Sequence, residues 1–141
     1  MSINTSPIFI SRGNIIPARI TTGNTASNGT GSLFTVVTGA TDGTRVDGIR
    51  FRNSQLTAAA SSAMVHRIFI SDTLGSNYRL IGEIAIGTAT RSTTAIGATS
   101  IFTFDQPIIM LSGQIMAVSQ SVFLGVQDQF DACPFAGDYT A

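Results

Sequence analysis

The sequence predicts an all-β fold, a single-domain antiparallel β-sandwich that is jelly-roll-like, on three observations. Short β-branched and aromatic runs recur along the 141 residues, separated by Gly, Asn, Asp and Ser at the spacing of sandwich strands. Several of these runs alternate apolar with polar residues, which is the period of a half-buried strand. Good helix formers are confined to residues 56–64, and their apolar members lack the i, i+3, i+4 spacing of a packed helical face. That stretch reads as a loop with at most one helical turn.

Candidate strands fall at 7–11, 15–22, 32–38, 45–53, 64–71, 78–86, 100–104, 107–111, 114–119 and 121–126. Asn28-Gly29 and Asp42-Gly43 suit the positive φ of tight hairpin turns, and residues 72–77 suit a longer hairpin loop. Residues 87–97 form a long polar connection. In 45–53, Ile49 and Phe51 face one way and Arg50 and Arg52 the other, giving a half-buried strand with a cationic outer face. Residues 64–71 are apolar at both parities, as expected of a central strand covered on both sides. In 78–86, Tyr78, Leu80, Ile84 and Ile86 are expected inward and Arg79 and Glu83 outward, with Gly82 marking a bulge or a close contact.

Length fits one domain with a real core. Residues 1–14 are an N-terminal arm or first strand, residues 15–126 the sandwich, and residues 127–141 a C-terminal tail with Phe130, Phe135 and Tyr139 among three Asp and with Pro134 breaking any regular strand. Charged residues are only 11% of the chain, whereas Gly, Ser, Thr and Asn make up 53 of its 141 residues, a neutral, hydroxyl-rich surface. All eight basic residues are Arg. Zero net charge gives no bulk electrostatic drive toward nucleic acid, and no direct nucleic-acid binding is expected. The zero conceals +4 on residues 1–91 and −4 on residues 92–141. Either strands of the two halves interleave and mix these charges, or complementary faces meet between copies.

Residues 106–127 carry no charge, but Pro107, four Gln and three Ser favour buried strands joined by a turn at Ser112-Gly113 over a membrane span. Residues 1–11 lack the basic start and apolar run of a secretory signal, so none is expected.

The chemistry-bearing residues are few. A catalytic triad needs a base beside its nucleophile, and the one histidine, His66, shares a strand face with Met64, Ile68 and Ile70, where it reads as a buried core residue. Cys133 has no second cysteine to bridge, and two candidate Cys/His ligands do not make a structural zinc site. Asp128, Asp131 and Cys133 mix hard and soft ligands and suit neither type of metal. Asp72-Thr73-Leu74-Gly75 departs from an aspartic protease motif at Leu74, and Gly29-Thr30-Gly31 lacks the third glycine and the helix of a dinucleotide fingerprint. No catalytic, cofactor or metal residue is assigned, and no enzyme activity is expected.

Residues 22–51, TGNTASNGTGSLFTVVTGATDGTRVDGIRF, resemble a pattern of small structural proteins of tailed bacteriophages. There, an N-T-A-x-x-G-T-G opening leads into an apolar strand, a G-A-x-x-G-[ST]-R-[VI]-x-x-I-R turn and strand, and an R-[IL]-F-I-x-[ND] strand. The last element corresponds to Arg67-Ile68-Phe69-Ile70-Ser71-Asp72, followed by Asn77-Tyr78-Arg79-Leu80-Ile81-Gly82-Glu83-Ile84; Gly137-Asp138-Tyr139 is similar to a frequent family ending. The likeness covers about residues 15–126.

The resemblance implies a virion role, foremost a capsid decoration or cement protein that binds the major capsid protein as a homo-oligomer, a dimer or trimer, assembled in the host cytoplasm. A tail or head-fibre component, such as a carbohydrate-binding sandwich module, is the alternative, although its aromatic platform would rest on Tyr78 and Tyr139. Expected partner contacts are the arm at residues 1–12, Arg50, Arg52, Phe130, Phe135 and Tyr139.

Overall fold

Alternation along each run decides which side chains turn inward, and two sheets close over them. The structure, a computed structural model, describes residues 10–55 and 58–139. Among these residues lie β1 (Ile10–Gly13), β2 (Ala18–Ile20), β3 (Phe34–Thr38), β4 (Thr44–Asn53), β5 (Met64–Ile70), β6 (Arg79–Ile86), β7 (Thr99–Met110), β8 (Ile115–Gln120) and β9 (Phe130–Tyr139), with a 3-10 turn at Val126–Asp128.

One sheet is ordered β1–β9–β4–β7, with β2 also pairing β9, and the other β3–β8–β5–β6. All strand pairs are antiparallel. With β1 and β2 taken as one interrupted first strand, this is the strand order of an eight-stranded jelly roll. Ile49 and Phe51 from β4, Ile68 from β5, Met116 and Val118 from β8, and Phe130 and Ala132 from β9 fill the space between the sheets.

The connections differ from simple hairpins. Gly43 takes φ 100° in a turn closed by its N–H donating to the Ala40 carbonyl. It joins β3 of one sheet to β4 of the other, so the Asp42-Gly43 turn is an inter-sheet corner. The turn at Ser112-Gly113 links β7 to β8 in the same way, and Asn28-Gly29 lies in the long β2–β3 connection. Residues 72–77 do form a hairpin, between β5 and β6. The Asp72 carboxylate organises it by accepting from the backbone N–H groups of Leu74 and Ser76 and from the Asn77 amide.

Residues 127–141, expected as a tail, contain β9, which lies between β4 and the pair β1/β2. Pro134 is accommodated because β2 pairs only with 130–132 and β1 only with 137–139. Between them β9 has no strand on that flank, the setting in which a sheet tolerates proline.

The candidates at 100–104 and 107–111 merge into β7. Its pairing with β4 runs from Gly48↔Thr103 to Val46↔Ile108, so the extra residues around Pro107 bulge from this edge strand. The candidate at 121–126 is not a strand. The Asp128 carboxylate there accepts from the Leu124 N–H and from the backbone and hydroxyl of Ser62, curling the segment inward. The candidate at 15–22 shortens to β2, and of 7–11 only residues 10 and 11 lie within the described residues. No helix occurs in the described part of 56–64.

On β6, Ile81, Ile84 and Ile86 pack on the core, whereas Leu80 is exposed. The register with β5 shifts between Ile68 and Phe69, which reverses the expected facing of Leu80. Gly82 fulfils the close-contact expectation: a Cβ there would lie 2.6 Å from the Phe102 ring of the opposite sheet.

Candidate interaction surface

The strand pairing sets out the outer face of the β1/β2–β9–β4–β7 sheet residue by residue. Arg50 sits between Cys133 of β9 and Ile101 of β7, and Arg52 between Asp131 and Thr99. Farther along, Phe135 lies opposite Gly48, where a Cβ would lie 3.2 Å from the Thr103 Cα of β7. At the far end of β4, Arg45 pairs with Asp47 at 2.8 Å, and its pKa is raised, chiefly by that carboxylate and slightly by Tyr139.

Of the expected contact residues, Arg50, Arg52, Phe135 and Tyr139 share this face, and Phe130 does not. Phe130 is fully buried and meets His66 edge-on, because the alternation of β9 turns Phe130 and Ala132 inward. Phe135 is 38% exposed and Ile101 52%. Tyr139 is half-buried, and its N–H donates to the Gly43 carbonyl. The expected arm at residues 1–12 falls mostly outside the described residues.

The charge halves are partly joined within one chain. Arg12 pairs with Asp138 at 2.8 Å and Arg19 with Asp131 at 2.9 Å, each an arginine of the first half with an aspartate of the second. Asp131 stands beside Arg52 in register, yet both its oxygens accept from Arg19, whose pKa is raised by that contact. Neither Arg50 nor Arg52 forms an ion pair among the described residues.

Arg91 completes the surface from the 87–97 connection. Its Nη1 donates to the Asn53 carbonyl at 2.9 Å, which brings it to the end of β4. Arg50, Arg52 and Arg91, with Ser54, Asp131 and Cys133, line a cavity of about 320 Å³. Sequence periodicity places Arg50 and Arg52, but a loop residue such as Arg91 has no periodic signal to place it.

The outer face of the other sheet is partly covered. The β2–β3 connection runs across it, with Arg67 of β5 donating to the Asn24 carbonyl, and Phe69 is fully buried.

His66 is buried in the core, as its strand face predicts. Burial lowers its pKa to about 4; Gln120 opposes this more weakly, although neither ring nitrogen reaches hydrogen-bond geometry with any partner. The imidazole is therefore neutral near pH 7 and shut away from solvent. Among the described residues no three His, Cys, Asp or Glu side chains are grouped to hold a metal ion. No protein-family model matches the chain, and no curated protein matches it significantly.

Proposed function

We propose that the protein is a non-enzymatic virion component, a decoration or cement protein that binds the major capsid protein shell of a tailed phage as a homo-oligomer. The observation that carries this reading is the outer face of the β1/β2–β9–β4–β7 sheet as the described residues form it. It combines unpaired Arg50 and Arg52 with exposed Ile101 and Phe135, and arginine and aromatic side chains are enriched at protein interfaces. The phage-like strand and turn motifs of residues 22–84 supply the choice of partner. A shell repeats each contact many times, so modest single interfaces add up to substantial stiffening. A sugar platform has less support, since Tyr78 and Tyr139 are both half-buried, and Tyr78 precedes β6 of one sheet whereas Tyr139 lies in β9 of the other.

The test compares phage shells with and without the protein under heat and osmotic shock. Bound protein should raise the temperature at which shells open, and the R50Q/R52Q variant should load less fully. Absence of the protein from purified virions, or equal resistance of shells lacking it, would overturn the reading.

A further inference from the structure

We infer that Arg50, Arg52 and Arg91 form an oxyanion notch that receives a side-chain carboxylate from an acidic segment of a protein partner. That the partner is a protein rests on the function proposed above; the oxyanion chemistry rests on the residues themselves.

Charge accounting isolates the notch. Of the eight arginines, Arg12, Arg19, Arg45 and Arg67 are in ion pairs. Three of the other four meet at one cavity of about 320 Å³. Its one lining carboxylate, Asp131, is already bound through both oxygens by Arg19. Arg52 and Arg91 also line an adjoining hollow of about 220 Å³ under residues 92–97. Positive charge is thus concentrated where, among the described residues, no free carboxylate neutralises it.

The backbones that carry the three arginines are held in place before any ligand arrives. Arg50 and Arg52 project from a strand paired on both sides. Arg91 is tied to the Asn53 carbonyl, and its loop is braced by the Ser92 hydroxyl, which accepts from the N–H groups of Thr94 and Ala95. A guanidinium tied like that of Arg91 loses little freedom on meeting a planar oxyanion.

The surroundings favour a carboxylate on a protein over a nucleic-acid backbone. A bound strand needs a positive track with stacking aromatics along it. Here the track stops after three guanidiniums, because the next charged groups along β4, Arg45 and Asp47, neutralise each other. Ile101 beside Arg50 instead gives the notch an apolar border, which suits an acidic residue flanked by apolar ones.

Cys133 is the chain's one cysteine and lines the notch, so its alkylation by N-ethylmaleimide reports occupancy. The probes are a capped Leu-Glu-Glu-Leu peptide, its Gln-for-Glu counterpart and an oligothymidylate. The Glu peptide should slow alkylation saturably and the Gln peptide should not. The R52Q/R91Q variant should raise the half-saturating concentration by about tenfold or more, since a charge-assisted hydrogen bond is worth that much or more. Arg79→Gln, on the other sheet, should leave it within about twofold. If R52Q/R91Q loses its native thermal transition, the single R52Q variant takes its place. Absence of protection by the Glu peptide, equal protection by the Gln peptide, an unchanged half-saturation in the variant, or stronger protection by the oligonucleotide would each overturn the assignment. Peptide protection without shell binding would leave the oxyanion notch standing and remove the proposed function. Shell binding without peptide protection would do the reverse.

Discussion

The imidazole of His66 lies face to face with the ring of Phe51, centroids 4.3 Å apart and planes 8° apart, and Phe130 meets it edge-on at 4.7 Å. Burial there lowers the His66 pKa from 6.5 to about 4. Between those values the unfolded chain binds a proton that the folded chain refuses. Stability is therefore full above pH 6.5 and falls as pH drops toward 4. The whole effect is about 3 kcal/mol, of which about 2 is lost by about pH 5. Urea unfolding across this range should show the loss, and His66→Leu should flatten it; an equal slope in that variant would assign the acid sensitivity elsewhere.

Asp138 is the second buried ionisable group whose surroundings fix its state. Burial alone would raise its pKa, but hydrogen bonds from Thr44, Arg12 and Asn14 outweigh that and hold it below the ordinary carboxylate value. The stability it confers is present above the unfolded carboxylate value and lost as pH falls through the lower folded one. Asp138→Ala strips the partner from three donors and should cost about 3 kcal/mol. The Arg12 side chain is 72% exposed, so Arg12→Ala should cost under about 1 kcal/mol. Denaturant midpoints separate the two, and similar losses would mean that the Arg12 ion pair, rather than the hydrogen bonds from Thr44 and Asn14, carries the contribution of Asp138.

These two residues also mark what the sequence could convey. His66 was legible because Met64, Ile68 and Ile70 share its strand face, and β4 because Ile49 and Phe51 alternate with Arg50 and Arg52. The strand holding Asp138 was obscured by Pro134, since its tolerance depends on the gap between β1 and β2, a relation among strands more than a hundred residues apart in sequence. The 121–126 segment looked extended for a similar reason: Asp128, bound to Ser62 and Leu124, bends it. Two of the three arginines of the notch, Arg50 and Arg52, followed from alternation. Arg91 depends on a loop positioned by the Asn53 carbonyl, by the Ala60–Thr90 bridge and by its own Ser92 hydroxyl, none of which leaves a periodic signal.

Gly82 offers a test of inter-sheet packing. A Cβ there would meet the Phe102 ring at 2.6 Å, and overpacking of this kind costs about 1–3 kcal/mol. Gly82→Ala should lower the urea midpoint by a corresponding amount, and Phe102→Leu should recover part of the loss when combined with it. Additive losses in the double variant would show that the two positions do not press on each other.

The C-terminal aromatics divide between fold and surface. Phe130 is fully buried beside His66, so Phe130→Ala should cost about 3–5 kcal/mol and leave a chain that unfolds at much lower denaturant. Phe135, exposed opposite Gly48, should tolerate alanine within about 1 kcal/mol. If this sheet face is the docking surface, Phe135→Ala should load poorly onto shells while melting almost as the parent does. Full loading by that variant would move the contact off the middle of the face, toward the Arg50, Arg52 and Arg91 end. A large stability loss in Phe135→Ala would instead place its ring in the folding ledger beside Phe130, and an interface role would then need other residues to support it.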